Sequence, residues 1–215
     1  MMKLISLIIF SLSTAIHLFA SLKKNQKLRN YTKPFILLSL IAFYIVAAKE
    51  VRWTIILALI FSWIGDLFLM IPGVKWFTIG GISFMISHLF FIIGYYPDIV
   101  FSKINVFVII ILAIFFFVTV SIIFKNLKKH LPRKLFYPMY LYLLINGSMN
   151  CFAIFRFLSV VNQNTIITCI GAILFFISDS SLFFVRFAKD SKLKTHFLVM
   201  LTYSIGEFLI VLGLI

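Results

Sequence analysis

Acidic side chains are scarce in this sequence: six Asp and Glu among 215 residues, against 20 Lys and Arg. Charge of either sign is thin, at 12% of residues, while 63% are hydrophobic and the mean hydropathy is +1.13. A soluble domain is about 25% charged and about 45–50% apolar. The composition therefore excludes a soluble enzyme, a disordered chain and a nucleic-acid-binding module. The net charge of +14 reads as topology, with Lys and Arg marking cytoplasmic loops and meeting anionic head groups. The two cysteines, Cys151 and Cys169, both fall in apolar runs and read as small packing residues. Proline is rare and peripheral. Pro72 and Pro97 fall in loops and Pro138 at a helix start, so nothing signals the broken mid-membrane helices of a transporter.

Long apolar runs fill the rest. Eight are predicted to span the bilayer: Leu4–Leu22, Pro34–Ala48, Thr54–Met70, Phe77–Tyr96, Asn105–Phe124, Tyr137–Leu158, Thr165–Val185 and Phe197–Ile215. Runs as continuous as Val106–Phe124 exclude a β-barrel, whose strands alternate. The expected fold is all-α: about eight transmembrane helices in one bundle, a single domain over residues 1–215. Numbering the loops alternately puts five basic residues on one side (Lys3, Lys49, Arg52, Lys103, Arg156) and fifteen on the other. The positive-inside rule then puts the loops around Lys23–Lys33, Lys75, Lys125–Lys134 and Arg186–Lys194 in the cytoplasm and both termini outside. Reading residues 1–20 as a cleaved signal peptide would export Lys23–Lys33 against that rule, so a first span is expected instead. The expected location is a bacterial cytoplasmic membrane.

Asp66, Asp179 and Glu207 fall inside predicted spans. Each costs about 2.5–3.5 kcal/mol at mid-bilayer on insertion scales and marks a functional site by default. The bland alternative is a protonated acid bonded to a neighbouring helix. Asp66 is expected about 6 Å from the cytoplasmic end of its span and Asp179 about 10 Å, from the rise of 1.5 Å per residue. His88 and Glu207 lie near mid-bilayer, His17 near the cytoplasmic end, and Asn146 and Asn150 one turn apart in the sixth span. Together these positions predict one polar cavity open to the cytoplasm or the inner leaflet. Phe77, Gly80, Phe84, His88 and Phe91 form one helical stripe, and Gly80 and Gly81 are expected to admit a close helix neighbour. Ser62, one turn before Asp66, is placed to hydrogen-bond it. Ser178 and Ser180 flank Asp179, and at least one is expected to bond backbone or pack. No H-x-x-x-H or H-E-x-x-H points to zinc, no G-x-S-x-G to a serine nucleophile, and no Walker or Rossmann loop occurs. An intramembrane aspartyl protease fits poorly, because Gly-Asp does not head the second motif and no Pro-Ala-Leu follows.

Four segments carry a resemblance. Trp63-Ile64-Gly65-Asp66-Leu67-Phe68-Leu69-Met70 resembles the Gly-Asp signature of the YhhN-like lysoplasmalogenase family. The stripe Phe77…Gly80…Phe84…His88…Phe91 is similar to that family's F-x-x-G-x-x-x-F-x-x-x-H-x-x-Y helix, with Phe91 in place of Tyr. Phe175–Leu182 followed by Phe187 resembles its Ser-Asp segment, and Thr202–Glu207 its T-Y-x-x-[GA]-Q, with Glu207 in place of Gln. The resemblance implies an eight-helix membrane hydrolase that cleaves the vinyl ether of lysoplasmalogens to a fatty aldehyde and a glycerophospho-base. It implies a lysophospholipid as the partner in the membrane, with no nucleic acid or protein partner expected.

The residues suit that chemistry on their own terms. Vinyl-ether hydrolysis begins with protonation of a carbon, which requires a carboxylic acid that keeps its proton in an apolar site. The oxocarbenium ion that follows is stabilised by a nearby carboxylate, as in glycosidases. Two carboxyls in different environments supply both roles, with no metal or cofactor. Asp66 and Asp179 are the expected catalytic pair, Asp179 as acid because it lies deeper. His88, Asn150, Tyr203, Glu207, Ser62 and Ser178 are expected around them, and Lys75 and Arg186 at the rim for the substrate phosphate. The alternative is a proton-coupled transporter or lipid flippase relaying protons through Asp66, Asp179 and Glu207; a cavity closed on its outer side would favour the enzyme.

Overall fold

A computed structural model describes residues 1–188 and 196–215. Lys189, Asp190, Lys192 and Lys194, expected in a cytoplasmic loop, lie outside the described residues. The described residues form eight α-helices: α1 (Met2–Leu22), α2 (Gln26–Ala47), α3 (Trp53–Met70), α4 (Val74–Tyr95), α5 (Val106–Lys128), α6 (Phe136–Ser159), α7 (Gln163–Phe187) and α8 (His196–Leu212). Seven are long and apolar enough to cross a membrane. The eighth, α8, has 17 residues among the described ones.

Packing follows the order of the chain. Neighbours α1–α2, α2–α3 and α3–α4 pack in turn, α4 packs on α6, α6 on α7, α7 on α8, and α8 returns to α1, which closes a ring. Helix α5 stands outside, against α6 and α7. That position explains its composition: apolar nearly all round, with Phe107 69% exposed and Ile111 63%. The bundle is inverted relative to a soluble protein. Large apolar side chains face outward, and His17, Ser62, Asp66, Ser87, His88, Asn146, Asn150, Asp179 and Glu207 are buried. Lipid cannot satisfy polar groups, so these turn to one another.

Glycines set the closest helix approaches. A Cβ on Gly80 would come 3.0 Å from Gly65 O, and one on Gly171 2.7 Å from Gly206 O. These contacts seat α3 on α4 and α7 on α8, as small residues do in membranes. The expectation for Gly81 fails: a Cβ there would meet nothing within 4 Å, because Gly81 faces away from α3.

The sequence reading of α2 needs correction as well. The helix begins at Gln26, not at the first apolar residue, with the Asn25 side chain capping it by accepting from Leu28 N at 3.1 Å. Residues Gln26–Lys33, expected in a loop, form its first two turns. Polar residues continue a helix readily once they stand beyond the hydrocarbon, and here they occupy the rim of the bundle.

Candidate active site

Polar side chains of α1, α2, α3, α7 and α8 converge on a cavity of about 110 Å³ at the basic end of the ring. Its polar lining includes His17, Arg29, Lys33, Asp66, Asp179, Arg186 and Tyr203. Both aspartates of the expected pair therefore share one cavity.

Their surroundings differ. Asp66, on the last turn but one of α3, faces Lys33 of α2, whose Nζ lies 2.9 Å from Oδ1. Its other oxygen, Oδ2, accepts from Tyr203 of α8 at 2.9 Å. Asp179, on α7, has no cation of this kind among the described residues. Its Oδ2 accepts from the Tyr142 hydroxyl of α6 and from Asn146 Nδ2 at 2.7 Å. His88 Nε2 of α4 stands 3.4 Å from the same oxygen and 3.4 Å from Tyr142 Oη. Among the described residues these contacts all fall on Oδ2 and none on Oδ1. Phe175 packs edge-on against His88 and Tyr203, and Phe84 against Phe175 and Tyr203, so aromatic walls hold the donors in place.

Not every expected neighbour reaches the cavity. Ser62 does not bond Asp66; its hydroxyl pairs with Ser87 Oγ at 2.8 Å, because α3 turns Ser62 toward α4. Ser178 lines the cavity but donates to Val199 O at 2.8 Å, tying α7 to α8. Asn150 donates to Asn146 O at 3.0 Å and Asn146 Oδ1 at 3.2 Å, which makes it a neighbour of the Asp179 ligand and not of the cavity. Glu207 is fully buried and lies off the cavity lining, and neither of its oxygens finds a hydrogen-bond partner among the described residues. Lys75 is exposed, its ammonium 5.5 Å from the centre of its neighbour Trp76, and does not line the cavity. The rim cations are Arg29, Lys33 and Arg186 instead.

Two residues, Lys33 and Tyr142, have roles that the sequence analysis does not give them. Gln26, Arg29 or Asn30, and Lys33 follow one helical stripe, a signal available once α2 is extended through the charged segment. Tyr142, Asn146 and Asn150 repeat every four residues on α6, and only the asparagines had stood out as polar. Among the described residues no three His, Cys, Asp or Glu side chains gather to hold a metal ion.

The opposite end is fastened by ion pairs. Asp98, just past α4, takes a two-pronged bond from Arg52 (2.9 and 2.7 Å) and a third from Arg156 Nε at 2.8 Å. Arg156 also donates to Thr168 Oγ1 at 2.8 Å and Gly213 O at 3.1 Å, and Arg52 to Gly94 O at 3.0 Å. One acidic residue thus clamps the ends of α3, α4, α6, α7 and α8 together.

Comparison with known proteins decides the kinship. The model of the YhhN family matches residues 28–214, nearly the whole chain. The chain belongs to the YhhN family. That family includes lysoplasmalogenases, and membership supports a role of that kind at family level. The matched region takes in the Gly-Asp segment on α3, the glycine-histidine stripe on α4, the Ser-Asp segment on α7 and the last-helix motif on α8. No curated protein and no solved structure matched the chain.

Proposed function

We propose that this YhhN-family protein hydrolyses the alkenyl ether bond of lysoplasmalogen-type lysophospholipids, releasing a fatty aldehyde and a glycerophospho-base. The observation that carries this reading is the pairing of Asp66 and Asp179 on one cavity in unlike settings, one against an ammonium and one against neutral donors.

The Lys33 ammonium beside Asp66 suits a carboxylate that stabilises an oxocarbenium ion. Asp179 is the acid. Its Oδ2 is engaged by Tyr142 and Asn146, which leaves Oδ1 as the oxygen that delivers the proton. The proton passes to the vinyl carbon farther from the ether oxygen, and the remaining carbon becomes the cationic centre. Water adds there and gives its proton back to Asp179. The hemiacetal then collapses, its C–O bond breaking toward the glycerol oxygen, which takes up a proton as the aldehyde forms. His88, within 3.4 Å of Oδ2, is placed to hold the donors of Asp179 in register. No metal or cofactor takes part.

Arg29 and Arg186 at the rim match a phosphodiester at the mouth of the cavity. The clamp on Asp98 fastens five helix ends at the far side of the bundle, which suits an enzyme better than a transporter that opens alternately to both sides. The basic end would face the cytoplasm of a bacterial cell, so the substrate would arrive from the inner leaflet. The test is purified protein incubated with a defined 1-alkenyl lysophospholipid, aldehyde being followed by mass spectrometry. Release by the wild type and not by Asp179→Asn supports the reading; no release from any alkenyl lysolipid removes it.

A further inference from the structure

A second feature adjoins the cavity. Between α4 and α6 a shallow apolar groove runs over Thr78, Gly81, Met85, Pro138 and Met139, with Phe77, Tyr142 and Phe183 at its inner edge. It encloses only about 20 Å³, so it is a groove open to the bilayer and not a tunnel. Three observations tie it to the catalytic pair. Phe77 lines both the groove and the cavity. Tyr142, at the inner edge, donates to Asp179. Phe183 packs edge-on against both Phe77 and Tyr142, so these rings form the partition between the two spaces.

We infer that the groove between α4 and α6, floored by Gly81, is the binding track for the hydrocarbon chain of the lysolipid, which leaves the cavity past Phe77 and Phe183. The inference rests on the proposed reaction. In an alkenyl ether the bond that breaks lies at the first carbon of the chain, so the chain must start beside the acid. The cavity, at about 110 Å³, must already take the glycerol and the scissile bond between its charged rim and Asp179, which leaves no length in it for a long chain. The charged rim takes the phosphate, in the direction away from the groove. An exit through the partition beside Asp179 puts the chain into the bilayer at the depth where it already lies. Gly81 fits this use: a Cβ there would meet nothing within 4 Å, so a side chain at this position begins in the open space of the track.

The experiment uses the full chain in lipid nanodiscs and a lysophosphatidylcholine with a diazirine a few carbons from the glycerol end of its acyl chain, within reach of the groove. Photolabelling followed by peptide mapping is expected to mark residues 78–85 and 138–142, and excess unlabelled lysolipid is expected to suppress it. Gly81→Leu should cut that labelling at least fivefold and raise KM for long-chain alkenyl substrates at least fivefold more than for a four-carbon substrate, whose chain ends near the inner edge at Tyr142 and Phe183. Thr78→Trp narrows the same track from the next turn and serves if Gly81→Leu does not fold. Labelling confined to the larger apolar cleft around Ala113 and Phe152, between α5 and α6, overturns the inference. So does competable labelling that Gly81→Leu and Thr78→Trp leave unchanged. Specific labelling of the groove without aldehyde release from any substrate would sustain the track and remove the reaction.

Discussion

Lys33 Nζ lies 2.9 Å from Asp66 Oδ1, an ammonium from α2 meeting a carboxylate from α3 inside the ring. The side chains are 14% and 4% exposed, so neither partner is well solvated. Removing one member of a buried ion pair leaves the other uncompensated and costs about 3–5 kcal/mol. The expected cost here is at the lower end, about 3 kcal/mol, because Lys33 keeps some contact with water. Lys33→Met should lower Tm markedly and reduce kcat, whereas Lys33→Arg should keep most of both. A Lys33→Met protein with wild-type Tm and turnover would show that the pair matters to neither fold nor site.

Tyr142 and Asn146 both donate to Asp179 Oδ2. Tyr142→Phe removes a donor and leaves the ring, so packing against Phe183 should survive. The expected result is a loss in kcat of roughly tenfold, the scale of a lost hydrogen bond of about 1.4 kcal/mol, with KM little changed. Steady-state kinetics with a single alkenyl substrate check this. A Tyr142→Phe enzyme that changes only KM would place the residue in binding.

The rim cations separate cleanly. Lys75 rests over Trp76 away from the cavity, so Lys75→Ala should leave KM within twofold of wild type. Arg29→Ala and Arg186→Ala should each raise KM by roughly tenfold, since a charged hydrogen bond contributes about 1.5–3 kcal/mol when well formed. Equal effects of all three substitutions would mean that the rim acts only through overall charge.

At the far end, Asp98→Ala would leave Arg52 and Arg156 without their shared carboxylate. Thermal unfolding in detergent should show a lower Tm, while kcat at a permissive temperature stays near wild type, because the clamp lies at the other end from the cavity. A loss of kcat with unchanged Tm would contradict a purely fastening role.

Sidedness is open to labelling. With Cys151 and Cys169 replaced by alanine, single cysteines at Asn25 and Lys129 should resist a membrane-impermeant maleimide in intact cells, and one at Lys103 should react. Reaction of both Asn25 and Lys129 would reverse or break the topology.

Much of the fold was legible because the membrane imposes it: length and continuity of apolar runs fix helix number, and the split of basic residues fixes their alternation. Asp66 and Asp179 were legible for the same reason, since a carboxyl in a span has few reasons to be there. What the sequence hid was partnership. Ser62 has helical spacing to Asp66, yet its partner is Ser87 on another helix. Lys75 is near the motif in sequence, yet Lys33, in a different loop-like segment, fills the role expected of a nearby cation. Residue spacing reports one helix at a time, and both corrections depend on how two helices are rotated about their axes. Tyr142 was missed because an aromatic residue in an apolar span reads as packing until its hydroxyl is seen to reach a carboxylate.

The most direct test of the paired-carboxyl account is the turnover of a 1-alkenyl lysophospholipid in D₂O by the wild type, Asp66→Asn and Asp179→Asn, with the aldehyde read by mass spectrometry. The account predicts one solvent deuterium on the carbon next to the aldehyde in the wild-type product, and a loss in kcat of about 10²-fold or more in Asp179→Asn with substrate binding retained. Asp66→Asn, lacking the stabilising charge, should be impaired as well. Wild-type turnover in Asp179→Asn, or an aldehyde without solvent deuterium at that carbon, would contradict it.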